Sequence, residues 1–133
     1  MLQMIRGPIC ATSSRNRLRA PQSYWDASRE MIESVAGGCG PGGVGDWMVP
    51  DTNFGLSMKP ACEIHDWMYY EGQTQEEKEI ADIVFLLNML KLVKKGTRFL
   101  KIPRDHRAFV YYEAVKYGGN SAYWKDKELE EAA

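Results

Sequence analysis

At 133 residues, 44% hydrophobic and 26% charged with a net charge of −1, the chain has one domain's length and an ordinary globular composition. These values exclude a disordered or collagen-like chain. The longest apolar stretch, residues 80–93, is interrupted by Asp82, Asn88 and Lys91 and falls short of the roughly 18 residues a membrane helix needs, so it reads as a core helix.

Charge is unevenly spread. Residues 1–25 hold Arg6, Arg15, Arg17 and Arg19 and no acid, which leaves the remainder about five charges negative by subtraction. Arg6 and Pro8 cut the apolar centre a secretory signal requires, so residues 1–22 are expected to form a flexible basic arm, with some likeness to organellar transit peptides. The main domain is expected over 23–124, with a charged tail over 125–133. Three cysteines, Cys10, Cys39 and Cys62, are too few for a disulfide-built scaffold. One bridge and three thiols both remain open. With no evident signal, the default compartment is reducing.

A first helix is expected from Gln22 toward the Gly37-Gly38 stop, with Ser23 as its N-cap. The Gly- and Pro-rich stretch 39–60 follows, irregular apart from a short hairpin placed within 44–56. A second helix should begin at Ser57 or Pro60, run to Tyr70 and stop at Gly72. Thr74 and Glu77 have capping-box spacing and should open a third helix that reaches Lys95 before Gly96. A fourth is expected over Arg104–Tyr117, ended by Gly-Gly-Asn. The class is mostly α.

Helices two and three share a short turn near Gln73 and should pack antiparallel. His65 lies eight residues before that turn and Asp82 nine after it. At about 1.5 Å per residue, both sit roughly 12–14 Å from the turn and face each other. Asp82 interrupts an apolar helix and needs a partner there. A carboxylate bonded to one imidazole nitrogen leaves the other as a base. Tyr69, one turn beyond His65, can face the same way. Asp66 is rotated about 100° from His65 and must serve a different neighbour. The loop Gly-Gly-Cys-Gly-Pro-Gly-Gly (37–43) is the nearest choice, since glycines can turn several carbonyls toward one point. Carbonyls plus a carboxylate form the hard-oxygen site that calcium takes.

Other readings compete. A zinc site from Cys39, Cys62 and His65 lacks a fourth ligand. Metal-dependent phosphohydrolases with a His-Asp pair need an upstream histidine, and the only other histidine, His106, lies downstream. Trp47 and Trp67 stand close to the loop and the His-Asp pair and are candidates for a membrane-facing rim; Trp25 and Trp124 read as packing residues. The basic run Lys91, Lys94, Lys95, Arg98, Lys101, Arg104 and Arg107 reads first as helix-end charge and solubility, ahead of binding to an anionic bilayer or nucleic acid.

Taken together, Gly-Cys-Gly-Pro-Gly-Gly, Cys-x-x-His-Asp-x-x-Tyr and the Ala-Asp-x-x-Phe helix resemble the phospholipase A2 superfamily, over about residues 36–90. The form is similar to its small bacterial, phage and parvovirus-capsid branches. The resemblance implies a phospholipase A2-like fold with an antiparallel catalytic helix pair. It implies His65 as the base that activates water, Asp82 as the carboxylate orienting it and Tyr69 as support. It implies calcium held by Asp66 and by the backbone carbonyls of Gly38, Gly40 and Gly42, with the Gly40 N–H aiding the oxyanion. Cys39 and Cys62 correspond to a pair bridged in secreted members. Ala61 and Met68 replace cysteines of those enzymes, and Gly38 replaces a common tyrosine.

The function so implied is calcium-dependent hydrolysis of the sn-2 ester of glycerophospholipids. A phospholipid membrane surface is the implied partner, and nucleic acid is not. The alternative is a structural or binding component, for example of a virus particle, docked to other proteins through the basic arm. Activity of this kind favours a secreted or virion setting.

Overall fold

The structure, a computed structural model, describes residues 18–36, 49–125 and 127. In chain order these form two short helices, α1 (Gln22–Asp26) and α2 (Arg29–Val35), then a small antiparallel hairpin, β1 (Thr52–Asn53) and β2 (Leu56–Ser57). The long pair α3 (Lys59–Glu71) and α4 (Gln75–Lys95) follows. A 3-10 turn at Arg98–Leu100 leads into α5 (Lys101–Gly118), and α6 (Asn120–Trp124) closes the described order. The architecture is mostly α.

Local chemistry explains the α3–α4 pair. Pro60 sits in the first turn of α3, where its missing N–H costs nothing. Gly72 ends α3 in extended backbone, and a Cβ there would strike the Tyr123 ring. Thr74 accepts from the Glu77 N–H at 3.1 Å while the Glu77 carboxylate accepts from the Thr74 N–H, so the capping box forms as expected. Lys94 and Lys95 occupy the last turn of α4, where cations complement the helix dipole.

Three expectations need correction. The single first helix is two, because Ala27 is extended and Ser28 caps α2, accepting from the Met31 N–H at 3.0 Å. Ser23 instead lies inside α1 and turns to α3. The fourth helix starts at Lys101, since Pro103 in a first turn removes no bond. Its Gly-Gly-Asn end leads directly into α6, which the sequence did not announce.

The hairpin pairs Thr52 with Ser57 and Asn53 with Leu56, at the downstream end of the expected stretch. Its central residues Phe54 (φ 50) and Gly55 (φ 80) both take left-handed backbone, as a type I′ turn demands. An aromatic there is uncommon, and the surroundings hold it. Arg104, buried on α5, donates to the carbonyls of Asn53 and Phe54 at 3.2 and 2.7 Å. Asn53 Nδ2 donates back to the Arg104 carbonyl at 2.9 Å, and the Tyr111 hydroxyl donates to the Thr52 carbonyl at 2.7 Å.

Two apolar clusters share α3 and α4. One joins Tyr24 and Ile32 of α1 and α2 to Ile64, Trp67, Met68, Val84 and Tyr123. The other joins Met58, Ala61 and Cys62 to Phe85, Met89, Val93, Ala108 and Val115 of α4 and α5. Residues 61–69 of α3 are consequently all buried. Most of the expected basic arm lies outside the described residues, but its end does not behave as an arm. Leu18 and Ala20 are buried in the first cluster, and Asn88 clamps the Arg19 backbone, accepting from its N–H at 2.7 Å and donating to its carbonyl at 2.9 Å.

Candidate active site

A helix buried on every side is expected to be apolar throughout, yet α3 carries Glu63, His65 and Asp66 in its enclosed stretch. Buried polar groups require partners. Glu63 accepts from Arg29 at 2.7 Å and from the Tyr24 hydroxyl at 3.2 Å, pinning α2 and α1 to α3. Burial and the facing Glu63 push the Tyr24 hydroxyl pKa up to about 12. Ser23 donates to Glu71 at 2.7 Å and accepts from the Trp67 indole at 3.1 Å. Trp67 is therefore a core residue, 4% exposed, and not part of a membrane rim. Trp47 lies outside the described residues.

His65 and Asp82 meet as the hairpin arithmetic requires. The His65 Nε2 lies 2.8 Å from Asp82 Oδ1, and both residues are buried. Tyr69 donates its hydroxyl to the same oxygen, also at 2.8 Å. The imidazole is held flat between rings, stacked on Phe85 at 4.5 Å and leaning on Tyr69 at 4.2 Å. Its other nitrogen, Nδ1, makes no hydrogen bond among the described residues. Bonding at Nε2 thus fixes the ring and leaves Nδ1 as the proton acceptor.

Asp82 has a third partner that the sequence reading missed. Lys78, 1% exposed and one turn earlier on α4, brings Nζ to 2.8 Å from Asp82 Oδ2. The approach is outside hydrogen-bond angles, so this contact is an ion pair and not an aligned bond. The same ammonium donates to the carbonyls of Val115 and Lys116 at 3.0 and 3.1 Å, in the last turn of α5. The Lys-x-x-x-Asp spacing was the available signal. Burial acts to raise the Asp82 pKa, but His65, Lys78 and Tyr69 outweigh it and hold the carboxyl below its ordinary range. Tyr69 is displaced far upward by burial and by the Asp82 charge, so it stays a donor.

The far end of the site is closed by α6. Tyr123 stands edge-on to Tyr69 at 5.1 Å and donates to the Thr74 carbonyl at 2.6 Å. Lys127 donates to the carbonyls of Tyr69 and Tyr123 at 2.5 and 2.7 Å. Gly119 leaves room for the Tyr69 hydroxyl, which a Cβ would crowd at 2.5 Å.

Asp66 is buried, at 3% exposure, and lines an open cleft of about 620 Å³ together with Tyr69, Tyr70 and Lys125. Gly38, Gly40, Gly42 and Cys39 lie outside the described residues. Cys62 is disulfide-bonded; Cys10 and Cys39 both lie outside the described residues. A bridged Cys62 offers no thiolate, which removes the zinc reading. Among the described residues no three His, Cys, Asp or Glu side chains gather to hold a metal. Set against protein-family models, curated proteins and solved structures, the chain finds no match in any of the three.

Proposed function

We propose that the protein is a calcium-dependent esterase of the phospholipase A2 type, with a phospholipase A2-like helix pair, acting on the sn-2 ester of glycerophospholipids at a membrane surface. The single observation carrying this reading is the oriented His65 ring, bonded to Asp82 at 2.8 Å with Tyr69 on the same oxygen. Asp66 offers a hard-oxygen donor suited to calcium, and the carbonyls of Gly38, Gly40 and Gly42 are its proposed companions. Calcium bound there would supply positive charge to an ester oxyanion.

This chain's own residues do the rest. Water hydrogen-bonded to His65 Nδ1 loses a proton to that nitrogen as its oxygen attacks the ester carbonyl. Asp82, fixed by Tyr69 and Lys78, faces the imidazolium that forms and stabilises it. The leaving alkoxide takes the proton back from Nδ1. No covalent acyl intermediate arises. The cleft beside Asp66 has the size of small-ligand sites.

Fatty-acid release from phospholipid vesicles, with calcium and with chelator, tests the reading. Turnover should require calcium, fall about a hundredfold or more in His65→Asn, and vanish in Asp66→Lys. A chain that releases no fatty acid and binds no calcium would instead favour a structural or binding component.

A further inference from the structure

One end of the molecule has a character the site does not explain. Phe99 and Ile102, at 87% and 81% exposed, are the two most exposed large apolar side chains among the described residues. They lie three residues apart, where the 3-10 turn enters α5. Phe54, 43% exposed at the hairpin tip, belongs to the same end. Arg104 binds its carbonyl, and the same guanidinium lies beside Gly96, where a Cβ would meet it at 3.1 Å. The hairpin thus holds an aromatic outward in left-handed backbone, a conformation with a cost that its clamp must offset.

The charge near these apolar tips is mostly positive. Residues 94–107 contain six lysines and arginines and a single acid, Asp105. The structure sorts them. Arg104 is consumed by the hairpin clamp, and Lys101 neutralises Asp105 at 2.5 Å. Arg107 lies over the Phe54 ring at 4.4 Å. Lys94, Lys95 and Arg98 are exposed, and Arg98 immediately precedes Phe99 in the chain. Helix-end solubility explains lysines, but it does not explain a phenylalanine and an isoleucine standing almost fully in water between them. Apolar side chains that can enter an acyl boundary, flanked by cations at headgroup level, are the chemistry that recognises an anionic bilayer. A nucleic acid would use the cations and leave Ile102 without a role.

We propose that the Phe54–Phe99–Ile102 end is a peripheral docking surface for anionic phospholipid bilayers. The proposal goes beyond the esterase reading, since the cleft beside Asp66 is lined by Gln73 at the other end of α3, and this surface would hold the body to a bilayer without being the mouth of that cleft. Docking itself needs neither calcium nor turnover.

The test is flotation of the full chain, in chelator, with vesicles of phosphatidylglycerol and phosphatidylcholine against phosphatidylcholine alone. Wild type should float with the anionic vesicles, less at high salt. The double variant Phe99→Ser/Ile102→Ser should bind at least about tenfold more weakly, and Arg98→Gln about fivefold more weakly, with unchanged thermal melts. Equal binding by the variants and wild type overturns the proposal, because lipid would then be held elsewhere. So does indifference to lipid charge, or a dimer that the double variant breaks, or binding to DNA in place of vesicles. Docking without fatty-acid release would sustain this surface and defeat the esterase reading.

Discussion

Asp82 holds the candidate site together through two oxygens and three partners, and removing it has separable consequences. Asp82→Leu leaves the Lys78 ammonium buried without its counter-charge, which should lower stability by about 3–5 kcal/mol in chemical denaturation. Asp82→Asn keeps the shape but removes the same counter-charge, so it should share part of that loss, and the imidazolium loses its stabilisation as well, lowering turnover. The acid limb gives a third readout. The folded pKa of Asp82 lies below its ordinary value near 4. Its contribution is therefore present above about pH 4 and is lost as pH falls through the lowered value, where the unfolded chain holds the extra proton. Acid unfolding followed by circular dichroism should be shallower in Asp82→Asn than in wild type. Lys78 was hidden from the sequence because a lysine in a helix is ordinarily a surface residue; the Lys-x-x-x-Asp spacing points to it once Asp82 is required to satisfy both oxygens.

Among the elements, α6 is short, yet it supports the site. Gly119→Ala would drive a methyl group against both the Tyr69 hydroxyl and the Val115 carbonyl. A loss of about 1–3 kcal/mol is expected in the melting curve, together with reduced turnover because Tyr69 is displaced from Asp82. Nothing local announces α6, since its first turn has no side-chain cap and follows a Gly-Gly pair that reads as a stop. By contrast, the α3–α4 hairpin was legible. Gly72, Thr74 and Glu77 fix a short turn, and a short turn fixes which residues stand opposite. His65 and Asp82 could be paired from that alone. Ser23 and Ser28 show the limit of such reasoning. Both look like caps, and only the tertiary demand of Glu71 and the Trp67 indole decides which one caps a helix. Trp67 misled for a related reason, because nothing local says that α3 is enclosed on every side.

Across the whole molecule, the packed body includes Leu18 and Ala20, upstream of Ser23 where the main domain is expected to start. A deletion through Gln22 removes Leu18 and Ala20 from the first cluster, so it should melt lower than a deletion through Arg17. The comparison also separates fold from function, since activity lost with the longer deletion would report unfolding and not a missing anchor. The Asn88 clamp on Arg19 carries this further. A side-chain amide there takes the role that a neighbouring strand would play, tethering an extended segment to the middle of the longest helix. The Arg19 peptide hydrogen should then exchange with deuterium only when α4 opens at its midpoint. The single amide of Arg19 becomes a gauge of integrity a few residues from Asp82, readable without substrate or metal.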